Sequence, residues 1–579
     1  MMSSFNLRRY MIPLLIISIA TVMETLFFNI PFWLSIFSGT PSGATPPQLN
    51  ISIFRLSVCA ICTTLAFVFR PGSPLWKTEL KDATKNMRAM FCILLVGLLA
   101  SIALFSQISG QAKWLEQGAT YNTGIEAVQD GNQYNHLANA LINGSVSLDI
   151  PVSEILLNMD NPYDPSERSE LNREKHDAIY WDYAYYDGNY YCYFGIIPCL
   201  IAFLPFKLLT GMDLRTDVAT VAFAYFLIIS SLYFLKKVQE AWFPRLNAGS
   251  FFAGVFCFTL SCGILEQVFL PRIYPIPMLS ALGFTLLGLG LWLSARTDYR
   301  ISKTWNPQKL VLGSFCVALT LGCRPQLILA CLLAFPIFHN EIHERQFFTK
   351  ESAGRTLAII FPFIIVALPI AWYNYIRFGS ITDFGAAYNL TGGDMTSYKF
   401  TPRKIAVQVL EYLFLPFQTI SAFPFISTVN DSPLVTTHPS LYTTEPFYAG
   451  FVFLTPIVLM LTLLVFKRFR KCLSIDTRNL IFSCLLLSLL IIVIASYVSG
   501  TNMRYFIDFG WLLLTPTVLT YWALSSRFST KNMLLVSFPY IGMLGIGLYC
   551  WTFLGTARFG ALVHECPTIW NAIASIFGA

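Results

Sequence analysis

Apolar stretches long enough to cross a hydrocarbon slab recur along most of this chain, and short basic loops separate them. As helix, a crossing needs roughly 17 to 25 residues. Windows of that kind lie near residues 11–37, 51–69, 89–107, 218–235, 250–270, 276–294, 356–377, 451–466, 479–498, 509–526 and 533–552, and two shorter ones flank Arg324-Pro325. The pattern predicts an all-α integral membrane protein of about 13 transmembrane helices. Two intervals break the rhythm. Residues 108–193 form a first large loop, polar and rich in carboxylates and tyrosines, and residues 380–448 form a second, rich in Gly, Pro and Asn and suited to cover a substrate. Residues 1–88 read as an added two-helix segment, which leaves 89–579 as the main membrane module.

Within the first loop the spacing changes character. Tyr134, Leu137, Ala138, Leu141 and Ile142 follow the period of an amphipathic helix, and Asn143-Gly144 ends it. A short helix of that kind beside a span lies on the outer leaflet. Asp130, with Gln133 three residues later, fits a capping box. It also suits a reactive carboxylate at headgroup level, because a cap occupies only one of its oxygens. Asp187-Gly188 between tyrosine-rich runs predicts a short aromatic hairpin. Residues 158–175 read as mostly a solvated connection.

Composition supports the membrane class: 55% hydrophobic residues, 12% charged and a mean hydropathy of +0.57 exceed what one soluble core needs. Charge gives the orientation, since basic residues near span ends stay cytoplasmic. With Arg8 and Arg9 inside, 24 of the 39 Lys and Arg fall inside and 14 outside, whereas 23 of the 32 acids fall outside. The N-terminus is then cytoplasmic and both large loops are extracytoplasmic. The scheme closes on one condition: residues 194–210, interrupted by Pro198 and Pro205, must dip into the membrane and return. The first apolar segment is too long for a cleaved signal. Cys59 and Cys62 read as small hydrophobes within a span. Cys192 and Cys566 are the candidates for an outside disulfide, and His339 and His343 read as a solvated loop face. No nucleotide-binding fingerprint is present, and no nucleic-acid partner is expected.

The candidate chemistry lies at the outside ends of the spans. Asp182 is a second carboxylate beside Asp130. Trp181, Tyr185, Tyr186 and Tyr190, with Tyr134, offer apolar faces and hydroxyls suited to sugars, or else form an interfacial aromatic belt. Arg272, Arg324, Arg377 and Arg504 offer planar forks that match phosphate oxygens, or else snorkel from span ends. Arg324, beside a helix-breaking proline near the hydrocarbon, needs a partner because charge there costs roughly 2.5 to 3.5 kcal/mol.

Taken together, the polytopic frame, the outside loop from Asp130-Gly131-Asn132-Gln133-Tyr134 to Gly144, and the arginines resemble the GT-C class of membrane glycosyltransferases over residues 89–579. That class includes protein O-mannosyltransferases and lipid A aminoarabinose transferases. The resemblance implies a polyprenyl-phosphate-linked sugar donor and a glycan, lipid or protein acceptor. It also implies a bacterial plasma membrane, an extracytoplasmic active site within membrane lipid, and a reactive carboxylate at the position of Asp130. Many relatives carry paired acids, whereas Asp130 has no acidic neighbour, so Asp182 is the candidate partner. One carboxylate is a poor site for a hard divalent cation, so no metal ligands and no cofactor are assigned. The competing readings are a transporter or flippase of lipid-linked saccharides, using Glu24, Glu266 and the break at Arg324-Pro325, and a ligase or polymerase of lipid-linked glycans.

Overall fold

The computed structural model describes residues 63, 66–70, 72–108, 120–269, 271–397, 401–429, 447–528, 533–556, 562–565 and 567–577. The apolar window 11–37 with Glu24, most of 51–69 with Cys59 and Cys62, the basic pair Arg8 and Arg9, and Cys566 lie outside the described residues. The chain is predominantly helical. Among the described residues, six helices are long and apolar enough to cross a membrane: α5 (Thr216–Trp242), α7 (Pro275–Ser302), α9 (Ala353–Phe378), α11 (Ile475–Ser499), α12 (Phe506–Arg527) and α13 (Met533–Trp551). Their positions follow the apolar windows of the sequence. Shorter apolar helices include α6 (Ala248–Ser261) and α8 (Pro307–Leu319), while α1 (Lys85–Ile108) precedes the first loop.

Helix α12 is the centre of the bundle. Trp511, Leu514, Tyr521 and Trp522 on it are fully buried, and its threonines, Thr515, Thr517 and Thr520, are buried too. Each of these hydroxyls donates to the carbonyl four residues back, which satisfies it without a partner helix. Helices α6, α11 and α13 pack around α12, and α5, α7, α8 and α9 follow one another away from it. On α9, Leu357, Phe361, Leu368 and Trp372 remain exposed, an outer face suited to an apolar surround. Near the N-terminal end of the described chain, Trp76 is buried against Gly249 of α6, and the backbone at 78–80 bonds to Leu246 and Ala248.

The 194–210 segment starts and ends beside the same helix. Tyr134 donates to the Gly195 carbonyl (3.4 Å), while Asn135 donates to the Leu214 carbonyl (3.0 Å) and accepts from its N–H (3.2 Å). The segment therefore leaves and returns to neighbouring residues of α2 (Gln133–Ile142). Between these ties, helical turns over Cys199–Phe203 and α4 (Leu204–Thr210) together reach only about 18 Å, short of the roughly 30 Å hydrocarbon core. Leu209 on α4 is 86% exposed, as befits a segment lying against lipid.

Described parts of the two large loops pack together. Two short antiparallel ribbons pair β1 (Thr120–Asn122) with β2 (Ala127–Gln129), and β3 (Ala184–Tyr186) with β4 (Asn189–Tyr191). Asp187 and Gly188 both have positive φ (47° and 72°), the two-residue turn that matches strand twist. The second loop then adds to this ribbon. Asp182 N–H donates to the Leu390 carbonyl, Leu390 N–H donates to the Tyr183 carbonyl, and Ala184 bridges Asn389.

The 158–175 stretch is more than a solvated connection. Asp164 caps α3 (Pro165–Lys175) by accepting from Ser166 and Glu167, and Asn172 is fully buried, bonding Glu126 and Asp177 carbonyls. Arg168, also buried, donates to the carbonyls of Pro162 (2.9 Å) and Thr391 (2.7 Å), which ties the first loop to the second. The second loop is likewise not all irregular, since α10 (Pro402–Phe414) buries one face against α11.

Candidate functional site

Asp130 begins the site, immediately before α2. The expected capping box does not form: the N-cap position is Asn132, without a side-chain cap, and Gln133 instead donates to the Asp182 carbonyl at 2.8 Å. Asp130 uses Oδ1 to accept the Asn132 N–H (2.8 Å), an Asx turn that feeds the chain into the helix. Its Oδ2 accepts from Tyr183 (3.1 Å) and contacts His136 Nε2 at 2.8 Å. Burial raises the carboxyl, but the hydrogen bond and charge of His136, with the Asn132 N–H and the Tyr183 hydroxyl, outweigh it and hold Asp130 below the usual carboxylate range. Burial and the Asp130 charge push the Tyr183 phenol well up, so it stays a donor.

The pair is asymmetric. The Asp130 side chain is 3% exposed and that of His136 is 32% exposed. With Nε2 turned to the carboxylate, the imidazole keeps Nδ1 for another partner. His136 was absent from the sequence reading because only the turn at Asp130 brings it back onto the carboxylate. Its position six residues on, at the start of the predicted helix, was the available signal.

Asp182, in the left-handed region at φ 62°, lies next to Tyr183 and is buried. Its carboxylate accepts from Tyr274 and from Asn389 Nδ2 (3.2 Å). Tyr274, at the start of α7, lies under the Arg504 guanidinium at 4.3 Å from the ring centroid. Arg504 also stands 5.3 Å from the Tyr505 ring, and Arg324 stands 5.1 Å from the same ring. Arg324 has the partner its position demanded, a two-pronged pair with Asp508 on α12 at 2.6 to 3.1 Å, to which Gln326 adds a hydrogen bond. Tyr193 lies among these groups. Burial and the charges of Asp182 and Tyr505 raise its phenol, while Arg504 and Arg324 oppose them.

Gly195 makes that approach possible, because a Cβ there would overlap the carbonyl oxygens of Gly322 and Cys323, just before Arg324. Tyr183 and Gln133 thus join Asp130 to Asp182, Tyr274 joins Asp182 to Arg504, and Tyr505 lies between Arg504 and Arg324.

Other expected residues are placed differently. Tyr134, Tyr185 and Tyr190 are buried, only 1%, 6% and 0% exposed, so the expected sugar-facing role gives way to packing. Tyr134 stacks on Phe203 (5.1 Å), and Tyr190 meets Tyr180, Tyr183 and Tyr185 edge-on. Tyr186 packs on Tyr388 (4.6 Å) and Phe378 (5.7 Å). Arg377 is 4% exposed, and its guanidinium donates to Cys192 O (2.7 Å), Asn374 Oδ1 (2.8 Å) and Tyr373 O (3.3 Å). It secures the hairpin exit to α9 and has no open face for a phosphate. Arg272, half-buried, precedes Tyr274 in the turn before α7, and Trp181, half-buried, faces the Gly392 turn of the second loop. Cys192 is a buried free thiol.

Among the described residues no group of three or more His, Cys, Asp or Glu is arranged to hold a metal ion. What these contacts offer is a buried acid with a half-exposed imidazole, and two guanidinium groups over tyrosine rings. Such a set can move a proton and hold an anion. Set beside family models, curated proteins and solved structures, the chain matches none of them.

Proposed function

We propose that this multi-pass membrane protein is an inverting glycosyltransferase of GT-C type. It moves a sugar from a polyprenyl-phosphate donor to an acceptor hydroxyl on a glycan, lipid or protein. In this reading the chain has about 13 spans, a cytoplasmic N-terminus and an extracytoplasmic site in a bacterial plasma membrane. The observation that carries the proposal is the run of contacts from the Asp130–His136 pair through Tyr183, Asp182 and Tyr274 to Arg504 and its neighbour Arg324.

The donor phosphate lies against Arg504, with Arg324 beside it, where charge-assisted bonds gain strength away from water. The acceptor hydroxyl attacks the anomeric carbon while its proton passes to the Asp130–His136 pair. The bond from that carbon to the phosphate oxygen breaks, and the phosphate leaves with an added negative charge. One displacement inverts the anomeric centre. A low-lying carboxyl is a weak base, so Asp130 orients the imidazole and His136 Nδ1 takes the proton. Asp182 holds Tyr274, the floor beneath Arg504.

Membranes containing the chain, supplied with a polyprenyl-phosphate-linked radiolabelled hexose or pentose, are expected to release polyprenyl phosphate. Asp130→Asn should stop that release while the protein stays inserted and folded. Normal release from the variant removes Asp130 from the reaction, and no release from the unaltered protein with either sugar class counts against the transferase.

A further inference from the structure

Helix α10 exposes two large apolar side chains while burying two polar ones beside Ile405 and Tyr412. Leu410 and Phe414 are 60% and 55% exposed, while Gln408 and Glu411, one turn apart, are 0% and 6% exposed. Among the described residues, neither side-chain polar atom of Gln408 has a hydrogen-bond partner, nor does Oε2 of Glu411. The same holds for Ser488 and Ser496 on α11. Leaving such groups buried and unmet is costly, and an ionised carboxylate there would cost most.

Glu411 does touch the Thr501 hydroxyl, and burial pushes its carboxyl up to about 7 against that bond. The next residue, Tyr412, is fully buried, donates to Gly500 O (2.7 Å) and accepts from Asn502 N–H (3.1 Å). Asn502 in turn accepts from Arg504 N–H (2.9 Å). The helix therefore clasps the turn that carries Arg504.

Among the described residues, no cation within a turn of Glu411 on α10 offsets the acid. Lys404 and Arg403 stand about two turns away, at the start of α10. On α11, Asp476 and Arg478 lie at the opposite end, and Tyr497 is exposed. Tyr448, before the short helix Phe451–Leu454 that packs on α10, brings a phenol. Arg504 and Asp508 lie beyond Tyr412.

We propose that the inward face of α10 is a proton-binding site: Glu411 holds a proton while the helix is docked, and ionisation loosens both the helix and the Tyr412 clasp on the Arg504 turn. The inference stands apart from the transferase reading. Undocked, the carboxyl ionises near its ordinary value of about 4.3, so the undocked state releases its proton first as pH rises. Docking is strongest in acid, weakens by about tenfold per pH unit from there to about pH 7, and then levels off.

Hydrogen exchange of the full chain in lipid nanodiscs, read by mass spectrometry at about pH 5 and about pH 8 and corrected for intrinsic rates, tests this. Protection over 402–414 should be at least about tenfold lower at the higher pH, with the centre of α11 unchanged. Glu411→Gln, and Glu411→Met as a second neutral variant, should show equal protection at both. Equal protection in the unaltered protein, or a pH effect that survives in a folded variant, overturns the proposal.

Discussion

Helix α7 joins two ionic clusters that use the same chemistry to different ends. At its first turn stand Tyr274, Arg504 and Arg324 with Asp508; about 30 Å further along it, Arg296 meets Glu341 (3.0 Å) and Asp476. In the Arg296 cluster each arginine faces two acids. Arg300 adds a second pair to Glu341 (2.6 Å), Asn340 donates to both oxygens of Asp476, and Glu341 is fully buried. Three parts of the chain, α7, the turn His339–His343 and the start of α11, are locked by it. At the Tyr274 end Asp508 is equally buried and pairs with Arg324, while Arg504 lies over the rings of Tyr274 and Tyr505. Surrounding an arginine with acids on every side makes a clamp. Seating arginines on aromatic faces makes a place for an incoming anion.

That contrast can be broken most forcefully at the clamp. Glu341→Leu takes one acid from both Arg296 and Arg300 and leaves the buried Arg296 with only Asp476 opposite it, and removing one partner of a buried pair costs about 3–5 kcal/mol. The expected result is a large drop in the unfolding temperature of the purified protein, measured by fluorescence-detected thermal unfolding. A variant as stable as the parent would show that the cluster is not a clamp.

An intermediate effect separates the two arginines of the Tyr274 end. Arg504→Gln should weaken retention of polyprenyl phosphate by about tenfold, a loss of roughly 1.4 kcal/mol, with little change in stability, as read by native mass spectrometry. Arg324→Gln should lower stability as well, because it leaves Asp508 buried without its cation. If both variants retain the ligand like the parent, the Tyr274 end is not an anion site.

The smallest effect is in acid. Because Asp130 titrates below the ordinary value of about 3.9, its contribution to stability is full above that pH and is lost as pH falls through the lower folded value. Asp130→Asn removes this dependence and keeps an amide able to hydrogen-bond. The stability gap between parent and variant should therefore narrow on acidification below about pH 4 in thermal unfolding, whereas a gap that widens reverses the assignment.

Much of this architecture could be read from residues close together in the chain. Apolar runs marked the helices, Asn143-Gly144 stopped α2, and Asp187-Gly188 turned the ribbon, because each depends on spacing of a few residues or on one backbone conformation. The 194–210 interval, expected from charge balance to leave and return, is tied near both ends to Tyr134 and Asn135.

The site was only half legible. Its arginines and acids could be nominated by type, but their roles depend on partners far along the chain. Arg377 spends its donors on Cys192, 185 residues away, and Arg324 is answered by Asp508, 184 residues away. Tyr190 looks like a binding aromatic in sequence and is core in fact, since periodicity cannot say which face a second loop will cover.

By itself, then, the sequence determined the membrane class, the helical spans and the local turns, all set by hydrophobic transfer and short-range backbone preference. Only the tertiary structure decided which charges are neutralised and which lie over aromatic rings, because a carboxylate or guanidinium acquires its role from neighbours that chain distance does not reveal. The pairing of Asp130 with His136 and the inward turn of Glu411 are of that second kind.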